Sequence, residues 1–310
     1  MATRAKASAV RSSAERADIY QEVTDRIVTE LENGRLPWVQ PWSNTVATPS
    51  VPRNATTGRR YSGINVLLLW GSQQKSGFPT QRWLTFRQAL AAGGNVRRGE
   101  KGTTVFFAST FVPDGHKQES DPRAVPFLKR FTVFNVQQCD DLPAEMTAAP
   151  LPQPDHVTVP RAESLLRATG ADLRIGGDKA FYMPSLDYIQ IPPRHAYFDQ
   201  INWYRTALHE VGHWTGSVKR LDRDQTGSFG THAYMGEEIV AEMTSAFVLA
   251  ELSIQPSVRH ADYIGAWLDM LREDKRAIFK AARLATQAAD YILAFEEATP
   301  ARGAPEMMAA

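Results

Sequence analysis

The sequence predicts an α+β protein of two domains, the first a small mixed sheet with helices. Three observations carry this expectation. Short runs of strand period lie among longer stripes of helical period. The stretch Asp140 to Val157, with prolines at 143, 150, 152 and 154, reads as an extended linker. Charge divides at the same place: residues 1–141 carry 19 Lys and Arg against 12 Asp and Glu, and residues 142–310 carry 16 against 22. The predicted division is a polar lead-in over 1–16, a first domain over 17–139, the linker over 140–157, a second domain over 158–298 and a tail over 299–310.

In chain order, Ile19, Val23, Ile27 and Leu31 form an i, i+4 stripe, so Asp18 to Asn33 is a helix stopped by Gly34. Pro37 and Pro41 forbid regular helix and favour an extended segment presenting Trp38 and Trp42. A second helix covers Val66 to Gln74, and Arg82 to Ala89 starts as strand and turns helical. Val96 to Gly102 reads as a tight basic turn. Thr103 to Phe111 and Phe127 to Val136 are an outgoing and a returning strand, with a polar hairpin tip at Asp114 to Asp121.

Beyond the linker come a short helix, Ala162 to Thr169, and a strand, Leu173 to Ile175. A hairpin of Ala180 to Met183 and Asp187 to Ile191 turns at Pro184-Ser185. Helices follow at Asp199–Thr215, Gly236–Glu251, Asp262–Glu273 and Lys275–Glu296, with Gly216 to Gly230 irregular.

With 43% hydrophobic residues in 310, each of two domains can bury its own core. One cysteine, Cys139, excludes an internal disulfide and fits a cytoplasmic setting. No apolar run of about eighteen residues predicts a membrane helix, and Met1 to Arg16 lacks the apolar segment of a secretory signal.

Chemistry concentrates at His209-Glu210-Val211-Gly212-His213. Helical positions i and i+4 share a face, so both imidazoles can meet one metal ion while Glu210 stands beside it as general base. A third ligand is needed, and the helix from Gly236 supplies Glu237, Glu238 and Glu242. Glu238 and Glu242 share a face of a largely apolar helix, where a carboxylate is costly unless paired or metal-bound. That favours Glu238 as ligand and Glu242 as the acceptor orienting a ligand histidine, with the two roles exchangeable. Glu237 reads as a helix N-terminal acid answering the macrodipole. His232 and Tyr234 are candidate oxyanion stabilisers. The strand Asp187–Ile191 is a candidate edge to which an extended substrate adds. The ligand set suits zinc, with manganese or cobalt as alternatives.

The first domain interleaves aromatic and basic residues: Trp38, Trp42, Arg59, Arg60, Tyr61, Arg82, Trp83, Arg87, Arg97, Arg98 and Lys101. Between Asn33 and Arg130 there are 14 basic and 4 acidic residues. Aromatic faces stack on unpaired bases while Arg and Lys neutralise phosphates, so the mix suits single strands. No recognition-helix or zinc-finger spacing argues for duplex.

Several segments extend this reading by resemblance. They are Asp18 to Asp25, Pro37-Trp38-x-x-Pro41-Trp42, Asn54-x-x-Thr57-Gly58-Arg59-x-Tyr61-x-Gly63-Ile64-Asn65, Trp83-x-Thr85-Phe86-x-Gln88 and Gly99-Glu100-Lys101-Gly102. Over 17–138 they resemble the N-terminal domain of ArdC-type antirestriction proteins, shared with plasmid TraC primases. Phe181-Tyr182-x-Pro184, Leu208 to Gly216 and Tyr234-x-x-Glu237-Glu238-Ile239-Val240-Ala241-Glu242 resemble the zincin-like metallopeptidase domain of the same proteins. The resemblance implies a zincin-like fold for the second half, single-stranded DNA as partner, and protection of an incoming mobile element's DNA from restriction. It leaves a restriction component as a candidate protein substrate, and a DNA-coating protein with a structural or regulatory metal site as the alternative.

Overall fold

A computed structural model describes residues 18–38, 50–111, 125–148, 159–227, 231–255 and 264–298, with the side chains of 108–111, 125–128 and 297–298 left aside. The lead-in, Trp42, the hairpin tip, the second half of the linker and the tail lie outside the described residues.

Helix α1 (Ile19–Glu32) starts where the Asp18 carboxylate accepts from the Tyr20 and Gln21 amides, and its stripe buries Val23, Ile27 and Leu31. Strand β1 (Arg53–Asn54) leads to α2 (Ile64–Ser76), which stops at Gly77 in the left-handed conformation. Strand β2 (Arg82–Leu84) runs into α3 (Phe86–Ala91) through a capping box between Thr85 and Gln88. Then follow β3 (Asn95–Val96), β4 (Thr103–Phe111), β5 (Val125–Asn135), β6 (Cys139–Asp140) and α4 (Ala144–Thr147). The four-stranded sheet has the order β1-β2-β5-β4, parallel only between β1 and β2, and β3 pairs antiparallel with β6. The start of the segment read as extended linker is therefore structured. Asp140 pairs with Asn95, and Ala144–Thr147 forms one helical turn.

The second half opens with α5 (Pro160–Ala168), its proline in the first turn. Strands β7 (Asp172–Ile175), β8 (Phe181–Met183) and β9 (Tyr188–Ile191) form a sheet ordered β7-β9-β8. The strand expected to be an edge, β9, is the central one, because β7 pairs parallel with it on one side and β8 antiparallel on the other. Helices α6 (Asn202–Thr215), α7 (His232–Glu251), α8 (Ile264–Glu273) and α9 (Ala277–Ala298) complete the architecture. Helix α7 begins one turn earlier than its apolar pattern suggested, since the Thr231 side chain caps the Tyr234 amide.

The main apolar core does not divide at the linker. Trp38 meets Trp267 at 5.2 Å, Trp70 meets Phe247 at 5.6 Å, and Tyr20 and Phe106 both meet Phe279, each pair edge to face. The Thr24 hydroxyl donates to the Lys275 carbonyl at 2.8 Å, and the Gly63 amide to the Thr286 hydroxyl at 2.9 Å. Ion pairs Arg53–Glu251, Arg60–Asp290 and Arg272–Glu32 rim the contact. The stripe on α1 and the apolar run Val66 to Trp70 on α2 announce that both helices must be buried; only the tertiary arrangement shows that α7, α8 and α9 do the covering.

Candidate functional site

His209 and His213 stand one turn apart on α6, a helix whose other faces bury Trp203, Tyr204, Leu208 and Val211. The carboxylates come from α7, which crosses α6 closely. A Cβ on Gly212 would lie 3.2 Å from the Ala241 Cα, so the glycine inside the motif lets the two helices approach.

The two Nε2 atoms lie 3.2 Å apart, and each is 3.5 Å from an oxygen of Glu238. These three side chains form the cluster able to hold a metal ion among the described residues, one ligand atom from each lying within 4.8 Å of the others. Both Nδ1 atoms face away from that centre. Nδ1 of His209 meets Glu242 at 3.5 Å, and Nδ1 of His213 meets Glu237 at 3.3 Å. Glu238 is thus the carboxylate that faces both Nε2 atoms, and Glu242 lies behind His209.

Glu237 is the residue the sequence reading misplaced. It does not simply answer the macrodipole. Its carboxylate is mostly buried, backs His213, and accepts from Arg223 at 2.7 and 3.0 Å and from Gln225 at 3.1 Å. Arg223 also donates to the Gly212 carbonyl and the Thr215 hydroxyl, so the loop after α6 ties the motif helix to Glu237. Glu242 is held likewise by Arg205, buried with it at 2.6 Å. Each histidine is thus oriented by a glutamate that an arginine fixes, the outer arrangement a metal site needs.

The charges of the cluster act strongly on one another. Burial would lower His213, but its hydrogen bonds to Glu237 and Glu238, with the charge of Glu210, overcome this and push it up to about 10. Burial would raise Glu238 and Glu237. The histidines outweigh it for Glu238, and His213 with Arg223 for Glu237, so both carboxyls are held below the usual range. Glu210 is buried beside this group. Tyr197, just ahead of α6, was not foreseen. Burial raises its phenol and the Glu210 charge adds to the effect. Tyr197 also lines a cavity of about 660 Å³ with Pro192, Phe198, Asn202, Arg205 and Thr206. Its only sequence signal was its nearness to the motif helix.

Of the candidate oxyanion stabilisers, Tyr234 lies on α7 one turn before Glu238, half-buried against the core. His232 does not join the site: it is exposed and pairs with Glu273 at 3.3 Å.

The candidate nucleic-acid residues separate by exposure. Arg59, Arg87, Arg98 and Lys101 are exposed. Arg60 pairs with Asp290 at 3.0 Å, and Arg97 with Glu100 at 2.9 Å and Asp140 at 3.3 Å. Arg82 donates to the Glu145 carbonyl. Tyr61 packs half-buried against a small core cluster, and burial raises its phenol. Trp38 and Trp83 cannot stack on bases as expected, because they are 1% and 0% exposed. Trp38 is clamped on Trp267, and Trp83 packs on Phe78 while its indole donates to Gln81. Aromatic rings that face solvent in this half include Phe86, beside Arg87, and Phe107 and Phe131, which the sequence did not single out.

Residues 17–134 match the family described as the N-terminal domain of anti-restriction factor ArdC, and residues 160–284 match the zincin-like metallopeptidase family. Two crystal structures of antirestriction ArdC protein from the R388 plasmid are similar at 37% identity. The metal-free one has a TM-score of 0.77 and covers 91% of this chain and 98% of that one. The Mn(II)-bound one has a TM-score of 0.75, with 90% and 98% covered. The uncharacterized protein y4eC of Sinorhizobium fredii (strain NBRC 101917 / NGR234) is 38% identical over 284 residues, 89% of this chain and 91% of that protein. A DNA primase TraC of Escherichia coli is 39% identical over 298 residues; the match takes in 90% of this chain but 27% of the primase.

Proposed function

Because this chain belongs to the ArdC family of antirestriction proteins, we propose that it binds single-stranded DNA through its basic half and holds a divalent cation on His209, His213 and Glu238, with Glu210 as general base. The observation that supports the metal reading best is the convergence of two Nε2 atoms and one carboxylate, each histidine backed by its own glutamate. The donor set fits such a cation: two nitrogens and one oxygen leave room for exogenous ligands, as in hydrolytic zinc sites. Zinc is the metal we assign, with manganese and cobalt accepted by the same donors. The Mn(II)-bound R388 relative supports a divalent ion.

Bound there, the cation supplies Lewis acidity to a carbonyl. The protein's own groups do the rest. Glu210, buried in the same group, takes up and returns a proton. Arg205 and Arg223 hold the two outer glutamates and so fix the ring planes of both ligands. Tyr234, one turn before Glu238, is the candidate for steadying negative charge on a substrate. A protein met on or near single-stranded DNA, such as a restriction component, is the proposed substrate class.

A second reading has its own support: the metal-site helix α7 packs directly on the basic half through Phe247 and Trp70. In that reading the metal braces the fold, and protection comes from coating DNA. Glu210→Ala, with all ligands intact, separates the two. Protection of incoming DNA in a restricting host is expected to fall while metal content and single-strand binding persist. Full protection by the variant would assign the site to bracing and discard the peptidase mechanism.

A further inference from the structure

The β4–β5 ribbon carries aromatic surface that the core does not use. Cross-strand partners share a face, and one face presents the pairs Thr103–Val133, Val105–Phe131 and Phe107–Lys129 in succession. Val105 and Val133 are buried in a small core cluster. Further along, the same face leaves the body of the protein: Phe107 is 56% exposed and Phe131 39%. Their rings lie diagonally across the two strands, edge to face, with centroids 6.4 Å apart and planes at 81°. The Lys129 ammonium sits 5.2 Å from the Phe131 centroid. On the opposite face, Arg130 stands over Phe106 and pairs with Glu22.

We propose that this face of the ribbon is the base-stacking platform for single-stranded DNA, with Phe107 and Phe131 each offering its ring to a base splayed out from its neighbour and Lys129 at the phosphates. The inference rests on the single-strand reading above and assigns it to residues. Two exposed rings in contact, held on a two-stranded ribbon, are costly in water unless something covers them. The occupant is indicated by charge. The ribbon ends a segment with 14 basic and 4 acidic residues between Asn33 and Arg130, and a cation is placed against the rings themselves. Flat aromatic faces beside a lysine suit a flexible polyanion with free base faces, and suit a stacked duplex poorly. Of the tryptophans that composition first suggested, Trp38 and Trp83 are consumed by the core, whereas Phe107 and Phe131 keep their rings at the surface.

The test is anisotropy titration of a fluorescent oligo-dT with the full chain, its Phe107→Ala/Phe131→Ala variant and Lys129→Ala, alongside a duplex of equal length. Loss of two stacking contacts is expected to weaken single-strand binding about tenfold or more, with unchanged melting temperature and metal content. Phe107→Tyr/Phe131→Tyr, which keeps the rings, is expected to bind like the parent. Lys129→Ala is expected to reduce the salt slope by about one. Binding by the double alanine variant within twofold of the parent would overturn the platform and leave the single-strand reading standing. Failure of the parent chain to bind oligo-dT would overturn both. If the parent is a dimer in sedimentation and the double alanine variant a monomer, the face is a self-association surface and the platform is wrong.

Discussion

Asp187→Asn isolates one charge on which the seating of the motif helix depends. Asp187 occupies the turn between β8 and β9 at φ 54°, a left-handed conformation that asparagine tolerates as well as aspartate. Its carboxylate accepts from the Tyr182 hydroxyl at 2.9 Å, from both terminal nitrogens of Arg220, and from Lys219 at 3.3 Å. Arg220 in turn donates to the Trp214 carbonyl at 2.6 Å and lies 4.0 Å over the Trp214 ring, one residue beyond His213. The hydrogen bond from Arg220 is the largest influence lowering the carboxyl, and it ends at about 2 against an ordinary 3.8. A fall of that size corresponds to about 2.4 kcal/mol at full weight. Partial solvent contact reduces it to about 1–2 kcal/mol. Because the folded-state value lies below the unfolded one, this stability is fully present above the unfolded pKa and disappears as pH falls through about 2. At pH 3 about half of it remains. Urea unfolding of the parent and the variant at pH 6.5 and pH 3 reads it directly. The variant is expected to be about 1–2 kcal/mol less stable at pH 6.5, with the deficit shrinking to about half at pH 3. An equal deficit at both pH values, or none at pH 6.5, would refute the electrostatic account.

Three further outcomes follow from buried contacts. Arg205→Met strands Glu242 and is expected to cost about 3–5 kcal/mol in urea unfolding, whereas removing both partners for apolar residues recovers most of the loss; equal damage by the single and double changes would contradict this. Glu237→Ala is expected to weaken divalent-metal binding about 10- to 100-fold in chelator competition, since His213 loses its orienting partner. Unchanged affinity would return Glu237 to the role of a helix-end acid. Trp83→Ala is expected to destabilise the fold by about 3–5 kcal/mol because its ring is fully buried against Phe78; a marginal change in melting would restore Trp83 to the surface.

The candidate metal cluster was legible in part because its histidines are local to one another. His209 and His213 are one helical turn apart in any α-helix, so their convergence needed only the helix to form. The carboxylate that faces them was legible as a choice between two, since Glu238 and Glu242 share a helical face. Choosing required knowing how α7 crosses α6, which the close approach at Gly212 sets. Glu237 was misread because a helix-end acid and a histidine's partner look alike in sequence. Arg223 and Gln225, which complete its role, come from a loop without periodicity. Edge or centre was undecidable for β9, because strand order depends on which neighbours pair and not on the strand's own residues.

The candidate nucleic-acid residues show the same division at longer range. By itself the sequence determined the helical stripes, the long β4–β5 pairing, the basic bias of the first half and the histidine-glutamate motif, all properties of neighbouring residues or of summed composition. Tertiary structure alone decided that Trp38 and Trp83 are core and that Phe107 and Phe131 are surface. An aromatic side chain serves burial and base stacking with the same ring. Which one it serves depends on what lies above its face, and that is contributed by elements distant in the chain: Trp267 covers Trp38, and no core residue covers the outer end of the ribbon among the described residues.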